Sequence, residues 1–256
     1  MKIVVLLKQT FDTEGKITIE NGKITEDGVK FVINPYDEYA VEEAVKLRDE
    51  HGGTVTLLSV GPSRTVEALR TALAMGADDA VLICDERIPD DEYAVSKVLH
   101  AYLTAEENVD LILGGNFSID RGSSQVAVRL AGMLGISHAG SITKLTISGG
   151  KAEIHRDTEG DLEVLELPLP ALFTAQQGLN EPRYPSLPGI MKAKKKPFKT
   201  LTLDDIGLSS DDVLPATKQS GLSLPPERSA GKILKGNSAE MAHELVSLLR
   251  TQSKVI

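Results

Sequence analysis

Residues 55–84 read VTLLSVGPSRTVEALRTALAMGADDAVLIC. An apolar run over 55–60 is followed by Gly61-Pro62-Ser63-Arg64-Thr65, which opens a segment with apolar residues at helical spacing over 66–75. A second apolar run occupies 80–84. Short continuous apolar runs mark strands covered on both faces, and a helix between two of them predicts a parallel pair joined by a right-handed crossover. The alternation extends both ways, with further runs at 3–7 and 111–113 and helical patterns at 38–49, 93–105 and 125–134. The expected fold is α/β: a parallel, doubly wound, Rossmann-like sheet.

The rhythm breaks at 10–34, where Gly15, Gly22 and Gly28 punctuate a segment expected to form an inserted hairpin or two. From Gly140 the pattern turns antiparallel, with runs at 141–147, 152–155, 162–166 and 171–174 and a Gly149-Gly150 turn. These runs predict a small antiparallel extension. A first domain is expected over 1–196. Beyond it, 197–256 is polar and loop-rich until an amphipathic helix at 239–249. The stretch 208–236 is too long for a connection inside a compact domain, which leaves an arm laid over a partner or plain disorder.

An apolar content of 41% suffices for a buried core, while a net charge of −9 speaks against a general nucleic-acid binder. Cys84, the only cysteine, permits no internal disulfide, fits a reducing compartment, and is expected to be a buried strand residue. The run 3–7 ends at Lys8, too short for the core of a leader, and no run approaches the roughly eighteen apolar residues that span a bilayer. A cytoplasmic protein without membrane insertion is the expectation.

In an open α/β sheet, ligands bind beyond the carboxyl ends of the strands. Three loops qualify: Lys8-Gln9-Thr10, residues 61–65, and residues 114–125. The last joins glycines, for close backbone approach, to Ser123 and Ser124 at a helix start, a suitable phosphate cradle. Neither G-x-G-x-x-G nor a Walker A motif is present, and many such loops are rich in glycine and serine simply to turn. The histidines (His51, His100, His138, His155, His243) are scattered without metal-ligand spacing, so no metal is expected. Residues 135–140, GISHAG, are not a nucleophile elbow, and Asp78-Asp79, Asp90-Asp91 and Asp204-Asp205 read as turns and caps. No self-contained active site emerges.

Residues 169–196 read LPALFTAQQGLNEPRYPSLPGIMKAKKK. Pro182, Pro185 and Pro188 fix φ and remove donors, so ordinary helix or central strand is not expected before Gly189. Tyr184, Leu187, Ile190 and Met191 form an apolar tip beside Lys192, Lys194, Lys195 and Lys196. Such a stiffened loop fits a docking element, with the apolar anchor supplying contact energy and the lysines steering. It also fits a loop that covers its own core with solvated lysines, since exposed loops of this kind are common.

The run LPA, then T, then NEPRYPSLPGIMKAKKK resembles the signature of the electron-transfer flavoprotein beta subunit family. Supporting fragments are KFVINPYD (30–37), AVEEA (40–44), RTALAMGAD (70–78) and PPERSAG (225–231), so the resemblance spans nearly the whole chain. It implies an alpha–beta heterodimer whose redox-active FAD is held chiefly by the alpha subunit, with 197–256 embracing that subunit. It implies AMP in the beta subunit, at Leu6, Asn34, Pro35, Tyr36, Asp37, Val60, Phe117, Ile119, Asp120, Gly122, Ser123, Ser124, Gln125 and Val126. Tyr36 would also approach the isoalloxazine ring, and Arg156 with Asp157 would meet the alpha flavin domain.

The same resemblance assigns Tyr184, Leu187, Ile190, Met191, Lys192, Lys194 and Lys195 to docking of acyl-CoA or other dehydrogenases. Electrons would then pass to a quinone oxidoreductase, and the subunit itself would turn over no substrate. A bifurcating branch carries a second FAD in place of AMP and uses NADH as donor. Its D-G-D-T run followed by Q-V-G-P is replaced here by Asp120-Arg121-Gly122-Ser123-Ser124-Gln125-Val126-Ala127-Val128, which favours AMP. A stand-alone ATP- or AMP-binding enzyme with residues 59–64 as phosphate loop is the other rival, although the S-G-G-x-D-S pattern is lacking.

Overall fold

The structure, a computed structural model, describes all residues except Thr13, Lys16, Asn21 and 227–229. Parts of the inserted segment 10–34 and of the 225–231 fragment therefore lie outside the described residues. Strand β1 (Lys2–Leu6) leads into β2 (Gln9–Phe11), β3 (Ile19–Glu20), β4 (Lys23–Ile24) and β5 (Phe31–Ile33). There follow α1 (Pro35–His51), β6 (Thr54–Val60), α2 (Val66–Met75), β7 (Asp79–Ile83), α3 (Glu92–Ala105), β8 (Leu111–Gly115) and α4 (Val126–Leu134). The later elements are β9 (Ser137–Ser148), β10 (Lys151–Thr158), β11 (Asp161–Pro168), β12 (Ala171–Ala175), α5 (Leu187–Ala193), β13 (Phe198–Leu201) and α6 (Ser238–Leu248). The chain divides into two compact units, Met1–Ser220 and Gly221–Ile256.

One nine-stranded sheet runs β11-β10-β9-β12-β8-β1-β6-β7-β13. Pairing is parallel from β12 to β13, and β10 lies antiparallel to both β9 and β11. Alternate side chains of a strand face opposite ways, which explains why these strands are apolar throughout. Ile3, Val5, Leu57, Leu82, Leu111 and Leu113 pack with Val41, Val45, Leu69 and Leu73 of α1 and α2. Val4, Leu58, Val81, Ile83 and Ile112 pack with Val98, Leu99 and Leu130 of α3 and α4. The sheet is thus doubly wound, as the apolar runs require. The inserted segment forms two small antiparallel pairs, β2–β5 and β3–β4.

Two expectations are corrected and one strand was missed. Residues 171–174 are not antiparallel: β12 sits inside the sheet, parallel to both β8 and the start of β9. All five of its residues are buried, so its sequence looks like any parallel core strand and carries no information on order. β13 was not legible because it is an edge strand with only two apolar residues, Phe198 and Leu201, flanking two exposed polar ones. Cys84 lies just past β7 and is half-buried against the core. Within the second unit, Asn237 and Glu240 form a capping box that starts α6. Among the described residues, no helix is long and apolar enough to cross a membrane.

Candidate nucleotide cleft and docking helix

The carboxyl ends of β1, β6, β7 and β8 converge on one cleft. Its wall on one side is apolar, from Leu6, Leu58, Val60, Val95 and Leu99. Lys8, Asn116, Ser118, Arg121, Ser123 and Ser124 give the cleft polar lining, and the start of α4 contributes Gln125, Val126 and Ala127. Helix α4 has no side-chain N-cap: Gln125 is in αR conformation, and its Oε1 accepts from Arg129 instead. The first amides of α4 therefore lack intrahelical or capping partners where they meet the cleft, which makes them anion donors.

The floor is a buried knot. Asn34 precedes Pro35 at the start of α1; its Nδ2 donates to Asp37 Oδ1 and to the Phe117 carbonyl, both at 2.9 Å. The Ile119 amide donates back to Asn34 Oδ1 at 3.2 Å. Asp37, 5% exposed, also accepts from the amides of Lys8 (2.6 Å) and Gly115 (3.0 Å). One carboxylate thereby joins the loop after β1 and the last residue of β8 to α1. Burial pushes the Asp37 carboxyl up to about 7, against the pull of these donors. Tyr36 stacks on Phe117 with centroids 4.2 Å apart. Above the knot, Lys8 Nζ donates to both oxygens of Asp120 at 2.8 Å.

Residues 180–196 are pinned to α1 and α2 at four places. Asn180 Nδ2 donates to the Tyr39 carbonyl and Glu43, and Arg183 makes a bidentate pair with buried Glu42 at 2.7 and 2.8 Å. Arg70 donates to the carbonyls of Ala193 and Lys196. Lys196 Nζ donates to the carbonyls of Leu73, Gly76 and Ala77 at the end of α2. Lys196 therefore belongs to the anchor and not to the positive patch. The chain from Leu187 is a short helix and not a loop. Pro188 is tolerated in its first turn, where an amide would be unpaired anyway, and Ser186 caps it through the Gly189 amide. The outward face is left bare: Tyr184 is 94% exposed, Leu187 79% and Met191 71%, with Lys192, Lys194 and Lys195 beside them.

The profile of the electron transfer flavoprotein domain matches residues 21–206. The electron transfer flavoprotein subunit beta of Bacillus subtilis is 57% identical, over all of both chains. The chain belongs to the electron transfer flavoprotein beta subunit family. The subunit of the same name from Syntrophomonas wolfei is 40% identical over 100% of this chain and 98% of that one. The caffeyl-CoA reductase-Etf complex subunit CarD of Acetobacterium woodii is 37% identical over 98% of each chain.

Of the positions expected to matter in this beta subunit, Leu6, Asn34, Asp37, Val60, Phe117, Ser123, Ser124, Gln125 and Val126 line the cleft. Pro35, Tyr36, Ile119, Asp120 and Gly122 do not; Ile119 and Asp120 instead hold the loop to Asn34 and Lys8. The cleft also takes Asp90 and Asp91, from the loop after β7. The strand-end rule covers that loop too, and applying it to every parallel strand would have found them. Arg156 pairs with Glu163 across the β10–β11 hairpin, beside a register shift in β10. Asp157 is exposed and, among the described residues, in no ion pair.

Proposed function

We propose that the cleft holds AMP as a structural nucleotide, and that the subunit supports an FAD-bearing alpha subunit while α5 docks acyl-CoA or other dehydrogenases. The observation that carries the nucleotide reading is the uncapped start of α4 at the carboxyl ends of four parallel strands. The amides of Val126 and Ala127 with the hydroxyls of Ser123 and Ser124 would hold a phosphate, and Leu6, Val60 and Val95 would pack on a purine. Arg121 reaches over the cleft to the Asp90 carbonyl at 3.1 Å and to the Asp90 carboxylate. A dinucleotide would have to displace that arginine, which supports AMP over a second FAD.

In this reading the flavin of the complex carries the electrons, and this chain's residues position partners without turning over substrate. Tyr36, half-buried on Phe117, offers a ring edge to the flavin, and Asp157 offers a free carboxylate to an arginine of the alpha flavin domain. An exposed pair of that kind contributes about 0.2–1 kcal/mol, which suits a domain that must release. Of the segment 197–256, in which β13 and the stretch through Thr217 pack on this chain, it is Gly221–Ile256 that embraces the alpha subunit; a quinone oxidoreductase accepts the electrons, and the site of action is the cytoplasm.

Co-expression with the alpha subunit, denaturation and chromatography of the released nucleotides is expected to yield one AMP and one FAD per heterodimer. Two FAD without AMP would overturn the mononucleotide reading. Reversing charge at Lys192, Lys194 and Lys195 is expected to lower the association rate with a dehydrogenase roughly tenfold at low salt. It should also flatten the salt dependence; a salt profile like the parent's would remove the lysines from docking.

A further inference from the structure

The tripeptide Asp90-Asp91-Glu92 faces two ways. Asp91 has φ −140° and ψ 132°, an extended conformation in which successive side chains point to opposite sides. Asp90 and Glu92 both reach Arg121 of the nucleotide loop, the latter at 3.6 Å. Asp91, between them, also lines the cleft, but its carboxylate is bound to α3 and Thr217 instead of Arg121. Its Oδ1 caps α3 through the Ala94 amide at 3.0 Å, and its Oδ2 accepts from the Thr217 amide at 2.9 Å and the Thr217 hydroxyl at 2.5 Å. The carboxylate is 3% exposed. Burial pushes it up, but the hydrogen bonds led by Thr217 outweigh burial and hold it at about 2, ionised under all working conditions.

Thr217 ends a strap that runs along α3. Lys97 Nζ donates to the Asp212 carbonyl at 2.7 Å, and Val213 is buried with Val98 and Leu99. The strap leads, four residues on, into the unit that begins at Gly221. Two clasps thus share one short, extended backbone: one closes over the cleft, the other secures the strap.

We propose that Asp90 and Asp91 are positioning residues that couple nucleotide occupancy to the anchoring of the strap at Thr217, so that a filled cleft orders the chain leading to the C-terminal segment. This rests on the reading of the cleft as a nucleotide site. A nucleotide that keeps the 114–125 loop closed keeps Arg121 on Asp90 and Glu92, and the extended backbone then presents Asp91 to Thr217. Coupling of this kind is reciprocal: loosening the strap must weaken nucleotide retention by the same factor.

The test uses the heterodimer with its alpha subunit. Exchange of bound AMP for radiolabelled AMP is expected to be about tenfold faster in Thr217→Val, within the usual range of coupling factors. Thr217→Ser, which keeps the hydroxyl, is expected to exchange at the parent rate. In the parent, removing AMP is expected to raise deuterium uptake over 213–217, and in Arg121→Gln that response should vanish. Parent-like AMP exchange in Thr217→Val, or protection of 213–217 that ignores AMP, would overturn the coupling. If Thr217→Val does not assemble, the deuterium comparison on the parent decides. Should the released nucleotide prove to be FAD, which would have to displace Arg121 from Asp90, the AMP reading and the coupling fall together, whereas AMP with parent-like exchange overturns the coupling alone.

Discussion

Gly115→Ala is expected to empty the cleft. Its neighbour Gly114 supplies the control. A Cβ on Gly115 would lie 2.3 Å from Asp37 Oδ1, 2.7 Å from Tyr36 Cβ and 2.8 Å from the Tyr36 carbonyl carbon. None of these can step aside. The Tyr36 carbon is backbone of the first turn of α1, and the Asp37 carboxylate is held by Lys8, Asn34 and the Gly115 amide itself. The end of β8 and the start of α1 must therefore part, taking Asn34 away from Phe117 and Ile119. Overpacking of this sort costs about 1–3 kcal/mol. For a chain of this size that is a fall of roughly 2–10 °C in Tm. Because the displaced loop is the one that lines the cleft, the purified heterodimer should also carry less than about a tenth of the parent's AMP. A Cβ on Gly114 would meet Leu6 Cβ at 3.4 Å, ordinary contact, so Gly114→Ala should retain nucleotide. Parent-like AMP content and Tm in Gly115→Ala would refute the knot's role.

Leu187→Ala is expected to slow reduction of the heterodimer's flavin by its dehydrogenase with no loss of AMP or FAD. The side chain is 79% exposed on a helix that other residues hold in place, so truncation removes little from the fold. What it removes is apolar area available to a partner, worth roughly 1.5–3 kcal/mol when fully buried. That corresponds to about a 10- to 150-fold weaker complex. The anchoring is what lets the leucine act. Arg183 on Glu42, Arg70 on the Ala193 carbonyl and Lys196 on the end of α2 order the helix before any partner arrives, which lowers the entropy lost on docking. Stopped-flow reduction at limiting dehydrogenase reads the effect. Equal rates for Leu187→Ala and parent would sink the docking role.

The docking stretch shows how far residue types alone carry. Its prolines and exposed apolar tip were legible, because proline restricts φ wherever it stands. The helix at Leu187 was not, since Pro188 forbids a helix interior yet suits a first turn, and only the position of Ser186 as cap distinguishes the two. The four consecutive-looking lysines read as one patch. Three are exposed, and the fourth turns inward because the carbonyls at the end of α2 lie within its reach. In the cleft, the Gly- and Ser-rich loop was legible by its place after a strand. The part of Asn34 and Asp37 as a knot depends on three segments meeting, none of which specifies the others locally.

By itself the sequence determined the alternation of strand and helix, the doubly wound class, the loop that lines the cleft and the family. These follow from local periodicity and from contiguous runs of residue types, which survive in one dimension. Only the tertiary structure decided that β12 lies inside the sheet and that Lys196 is an anchor. It alone placed Asp90 and Asp91 between the cleft and the strap. Strand order, burial and the direction of a carboxylate are set by contacts between residues distant in the chain, and no local pattern encodes which distant group completes them.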